Sequence, residues 1–211
     1  MKKAILLFCI AILFLFCASS FAQVGLSIKG HGTYGILLKP DIQETGLPEE
    51  KLTKGGFGFS GQLLYRTGKI LSLGVEAGFL PLWKWEFTLE IVEFVNGTPE
   101  IVDAKFETSY SAVPILGVIQ LEAPLPLVSP YLQIGPGFYP LTQTIKVTVP
   151  GTEEIKDKDT ETKFGIMFAA GVAIPFAPKL NLDVGGKLHM IFTEGESTIM
   201  LNPVVGILIR F

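Results

Sequence analysis

Ten polar side chains stand inside otherwise apolar segments of this 211-residue chain: Lys29, His31, Gln62, Arg66, Glu76, Asp183, Lys187, His189, Asn202 and Arg210. Such a set could do acid–base chemistry. A histidine beside a carboxylate moves protons near neutral pH, and one beside a serine activates a nucleophile. His31 and His189 are the only two histidines, and no serine is marked by spacing as the partner of either. The expectation is a cluster of ion pairs and hydrogen bonds that satisfies itself, with no catalytic residue and no cofactor. A gate that responds to protons through the two histidines is the alternative.

Two further patterns carry weaker chemistry. Asp157-Lys158-Asp159-Thr160-Glu161 puts three carboxylates at every second position. That could hold calcium, but the glycine and distal glutamate of an EF-hand loop are missing. A solvated charged segment is expected instead, with no metal site. Asn96-Gly97-Thr98 fits a glycosylation sequon, but Asn-Gly is also a strong hairpin turn signal, and the turn is the reading adopted.

The elements that must position these residues follow from composition and periodicity. The chain is 48% hydrophobic and 18% charged, with a formal charge of −3. This excludes disorder, and the absence of a basic run leaves nucleic-acid binding without support. One long apolar run exists, over residues 4–18, after Lys2 and Lys3. Small residues at positions 20 and 22 complete an export signal, so 1–22 is expected to be cleaved and 23–211 to form the mature domain. Cys9 and Cys17 leave with it, and the mature charge becomes −5.

Period two fills the rest. Apolar and small or polar residues alternate over 24–37, 57–66, 71–79, 130–140, 164–174, 180–192 and 199–211. This is the mark of strands with two environments. Residues 110–121 form another strand, but both of its faces are apolar and its facing is left open. The eight strands are joined by alternating short and long connections. The short ones are 67–69, 122–129 and 175–179; the longer ones are 38–55, 83–109, 141–162 and 193–198. Seventeen of the 20 acids fall in the longer set, the exceptions being Glu76, Glu122 and Asp183. The Asn96-Gly97 turn implies that the third and fourth strands extend as a ribbon.

The fold class expected is all-β: an eight-stranded antiparallel up-and-down transmembrane barrel with short periplasmic turns and longer extracellular loops. The apolar face carries no charge in six strands, whereas the other face is mostly Gly, Ala, Ser and Asn. That suits lipid outside and a crowded interior, with the ten polar residues inward. Tyr34, Phe57, Tyr65, Phe79, Phe164, Phe192 and Phe211 sit near strand ends, as an interface girdle would.

The segments 130–137 and 168–172 and the terminal 204–211 resemble the small outer-membrane β-barrel family. Gly206, Ile209 and Phe211 look like the terminal strand read by barrel assembly machinery, although Val204 stands where a polar residue is usual. The resemblance covers nearly all of the mature chain. It implies a bacterial outer-membrane location, contact with lipid and lipopolysaccharide, and the assembly machinery as a partner. A monomer with a structural or surface-binding role through acidic loops is expected. The rivals are a narrow solute channel, a soluble periplasmic lipocalin-like barrel and a lipid A-modifying enzyme.

Overall fold

The computed structural model describes residues 25–40, 50–68, 70–95, 98–151, 154–195 and 197–211. The expected signal and its cleavage point lie outside the described residues, as does the Asn96-Gly97 turn. Among the described residues ten strands form: β1 (Gly25–Lys39), β2 (Lys51–Lys54), β3 (Gly56–Arg66), β4 (Leu71–Val95), β5 (Thr98–Ala112), β6 (Ile115–Glu122), β7 (Ser129–Thr148), β8 (Ile155–Ala177), β9 (Leu180–Ile191) and β10 (Thr198–Arg210).

Eight wall strands close a ring. β1 pairs with β3, β3 with β4, β4 with β6, β6 with β7, β7 with β8, β8 with β9, β9 with β10, and β10 returns to β1, all antiparallel. Closure removes the free sheet edges that an open sheet would expose in lipid. The Phe211 N–H donates to Leu26 O at 2.8 Å, fastening the last strand to the first. Gly206 permits the close approach there: a Cβ would meet the Gly30 carbonyl oxygen at 2.0 Å and His31 Cδ2 at 2.7 Å.

Facing follows the alternation. Leu26, Ile28, Phe57, Phe59, Leu63, Val75, Phe164, Phe168, Leu182, Val205 and Ile207 are exposed on the outside. On β3 the apolar outer side runs from Phe57 to Tyr65, about the nine residues that a tilted membrane strand needs. Ring contacts join Tyr34 to Phe57, Phe59 to Phe79, and Phe164 to Phe138 and Phe192 along the long-hairpin rim. Tyr65 and Phe211 lie toward the short-turn rim.

The facing left open in 110–121 is resolved. Ile115, Ile119 and Leu121 point out, whereas Leu116, Val118, Gln120 and Glu122 point in. Both faces read as apolar because the lumen is itself apolar where Leu116 lies. Glu122, expected at the start of a connection, is the buried end of β6.

The connections differ more. Residues 141–162 were expected as a loop but are mostly strand. β7 runs to Thr148 and β8 begins at Ile155, paired from Pro140↔Thr162 to Val147↔Ile155. β-branched residues such as Ile145, Val147 and Thr148 drive this extension. β4 and β5 form the expected ribbon, paired from Leu80↔Ala112 to Val95↔Thr98. The segment 38–55 contains β2, which adds to β4. β5 continues the line of β6 beyond a break at Val113-Pro114, where proline has no N–H to give. There the Val113 N–H donates to Pro140 O at 2.9 Å, and Pro114 O accepts from Gly78 at 3.3 Å. β5 also pairs with β7. The order β2–β4–β5–β7–β8 therefore stands above the rim as a projecting sheet that continues part of the barrel wall.

Candidate functional sites: the lumen network and the projecting sheet

Alternation brings inward side chains from every wall strand into one narrow space, where an unpaired charge would be costly. Eight of the ten expected polar residues join one continuous network. The Lys29 ammonium lies 2.8 Å from Asp183 Oδ2 and 3.7 Å above the Tyr131 ring. The same carboxylate takes His31 Nε2 at 3.1 Å and the Tyr131 hydroxyl at 2.6 Å. His31 Nδ1 lies 3.5 Å from the Lys187 ammonium. This arrangement suits the Nε2–H tautomer, which donates to Asp183 and accepts from Lys187. Lys187 donates to Ser60 at 2.9 Å and pairs with Glu76 at 2.5 Å.

A glutamine relay continues from Glu76. Gln62 donates to Glu76 at 2.6 Å and exchanges hydrogen bonds with Gln133 at 3.1 and 3.2 Å. Gln133 donates to Gln120 at 2.6 Å, and Gln120 to Glu122 at 2.9 Å. Glu122 then accepts from Arg66 at 3.1 and 3.2 Å and from Arg210 at 2.6 Å. Close packing supports the Tyr131–Asp183 contact: a Cβ at Gly171 would meet the Tyr131 hydroxyl at 2.5 Å.

The other two expected residues stand apart. His189 Nδ1 meets the Tyr139 hydroxyl at 3.0 Å, nearer the long-hairpin end. Asn202 is buried on β10, and among the described residues its amide has no hydrogen-bond partner. Ser60, Gln120, Glu122, Tyr131 and Gln133 belong to the network but were not among the ten. The period-two pattern of 130–140 already put Tyr131 and Gln133 on the polar face. The missing information was which inward groups would touch. Toward the long-hairpin end the filling turns apolar, with Leu37, Leu80, Leu82, Tyr139, Leu141, Met167, Ile191 and Met200 in one buried cluster.

The projecting sheet carries the second set of candidate groups. Directly paired residues share a face. Its outer face holds a ladder: Lys84 bonds Glu86 at 2.9 Å and Glu107 at 3.0 Å, and Lys146 reaches Glu107 at 3.2 Å. Burial favours the neutral form of Glu107, but hydrogen bonds from Lys84 and Lys146 outweigh it and hold the carboxyl below its ordinary value. Its inner face continues the lumen side, since Trp83 and Tyr110 pack on the apolar filling. Three rows cross it: Trp83–Tyr110–Gln143–Asp159, Trp85–Thr108–Ile145–Asp157 and Phe87–Phe106–Val147–Ile155. Trp83 stacks on Tyr110 at 5.7 Å, and Phe87 on Phe106 at 5.0 Å. The Trp85 indole N–H donates to Glu50 at 2.8 Å. Burial, followed by the Glu161 carboxylate, pushes Tyr110 up to about 12.

Asp157, Asp159 and Glu161 share that inner face at alternate positions of β8, roughly 6.6 Å apart along the strand. They are too far apart to enclose one ion. Among the described residues, no group of three or more His, Cys, Asp or Glu side chains is placed to hold a metal.

A closed antiparallel wall with an apolar belt, an aromatic rim and a filled polar lumen defines an integral outer-membrane β-barrel. The chain belongs to the family described as outer membrane protein beta-barrel domain, whose sequence model matches residues 8–202. Among solved structures it is similar to neisserial surface protein A at 13% identity and a TM-score of 0.51, covering 90% of this chain and 99% of that one. A major outer membrane protein from Thermus thermophilus aligns at 14% identity and TM-score 0.49, covering 88% and 99%. The attachment invasion locus protein Ail of Yersinia pestis aligns at 18% and 0.41, covering 89% and 97%. At such identities the likeness concerns the fold alone. No curated protein matches the chain.

Proposed function

We propose that this chain is a closed outer-membrane barrel whose work is done at the cell surface by the projecting sheet, as a binding protein and neither a channel nor an enzyme. One observation carries the reading. The lumen is filled twice over, by the ion-pair network and by the apolar cluster above it, whereas β4, β5, β7 and β8 extend beyond the rim. An eight-stranded wall leaves room only for side chains, and here large ones occupy it. The long-hairpin end faces outward in this reading, and the short turns face the periplasm. A cleaved export signal over 1–22, a monomer, contact with lipopolysaccharide, and recognition of Gly206, Ile209 and Phe211 by the assembly machinery belong to the same proposal.

The test is conductance in planar bilayers of the wild type and of Glu76→Ala. Removing the carboxylate breaks its pair with Lys187 but leaves Leu80, Leu82, Leu141 and Met200 in place. Neither protein passes discrete current steps in this reading. Steps that appear in Glu76→Ala would restore the ion pair as a gate and the barrel as a channel.

A further inference from the structure

The inner face of the projecting sheet combines two features that the lumen does not need. Trp83, Trp85, Phe87 and Phe106 form an aromatic shelf that is only half buried. On the same face, two strands beyond Phe106 across β7, Asp157 and Asp159 on β8 are exposed, and among the described residues each accepts only the backbone N–H of the next residue, at 2.9 Å. Glu161 differs, because Lys163 pairs with it at 2.9 Å and Tyr110 donates to it at 3.3 Å. Lys156 and Lys158, the neighbouring cations on β8, fall on the opposite face by alternation. The first two rows each lead from a tryptophan, across β5 and β7, to one of these aspartates.

We infer that this face binds an amphiphilic organic cation: an apolar or aromatic body that lies on the shelf and an ammonium or guanidinium group that meets Asp157 and Asp159. The complementarity is physical. Aromatic faces attract cations and apolar groups alike, whereas the carboxylates repel an anion and offer a neutral hydroxyl only a hydrogen bond that water also supplies. The inference rests on the surface-binding reading and supplies its ligand chemistry.

The chain provides its own reporter, since its two tryptophans, Trp83 and Trp85, both lie on the shelf. The full mature chain in phosphatidylcholine nanodiscs is titrated with 4-phenylbutylammonium, with 4-phenylbutanol and 4-phenylbutyrate as matched neutral and anionic probes. Tryptophan emission should respond saturably to the ammonium, at an affinity about tenfold above that of the alcohol. The anion should give no saturable response. In the double variant Asp157→Asn, Asp159→Asn, affinity for the ammonium should fall to that of the alcohol, and the alcohol's own affinity should not move. Retained heat-modifiable gel mobility shows that the variant is folded. Equal affinity for ammonium and alcohol, no saturable response to the ammonium, or a preference that survives the double substitution would each overturn the inference. None of these bears on whether the barrel conducts, so surface binding of another chemistry would remain a separate matter.

Discussion

The buried pair of Lys187 and Glu76 shows how a side chain in the lumen is constrained. Lys187 is shared among Glu76, Ser60 and His31, so Lys187→Met leaves a carboxylate in a nearly water-free space. We expect that variant to lose about 3–5 kcal/mol in unfolding from lipid vesicles, and the double variant Lys187→Met, Glu76→Leu to lose less than either single one. A double variant as unstable as the sum of its parts would show that the pair is no unit. Glu122 is the matching hub at the short-turn end. Arg66 and Arg210 keep some water contact, so Glu122→Gln should cost less, about 1–3 kcal/mol in the same assay. Much of this was legible, because a charge every second residue in an apolar strand has only the lumen to enter. Partners were not legible: Glu122 looked like the start of a turn, and Tyr131, Gln120 and Gln133 carry no charge to mark them.

Strands that outrun the membrane belong to the scale of elements. Asn96-Gly97 between two alternating runs announced the β4–β5 ribbon. The β7–β8 extension had no such mark, because the charges of Asp157-Lys158-Asp159-Thr160-Glu161 read as a solvated segment. A projecting sheet has water on its outer side, so a polar strand there is stable once both neighbours pair with it. Its charged ladder gives a pH prediction. Glu107 is held below its ordinary value, so its contribution is present above the unfolded value near 4.5 and lost as pH falls through the folded one. Hydrogen exchange of β4 and β5 amides, corrected for its intrinsic pH dependence, should quicken between about pH 6 and about pH 3. In Glu107→Gln that added quickening should vanish. Equal quickening in both proteins would place the sensitivity elsewhere.

At the scale of the molecule, closure, the apolar belt and the aromatic rim were all written in the two-residue period. Each is a repeated consequence of one rule, that every second side chain meets lipid. The division of the interior was hidden. Alternation already put Met167 and Met200 on the inner face, but only three-dimensional neighbours show that they join Leu80 in filling the lumen above the ion pairs. In the proposed function their position makes the barrel a support for the sheet above the rim.

A surface role requires this sheet to stand on the outside of the cell. Both native cysteines lie in the expected signal, so a single engineered one reports cleanly. Lys105 is exposed on the projecting sheet, and Lys179 on the short β8–β9 turn. Intact cells that express Lys105→Cys or Lys179→Cys are treated with a membrane-impermeant maleimide. With the sheet outside, Lys105→Cys should label fully and Lys179→Cys only after the outer membrane is permeabilised. The reverse pattern would contradict that placement.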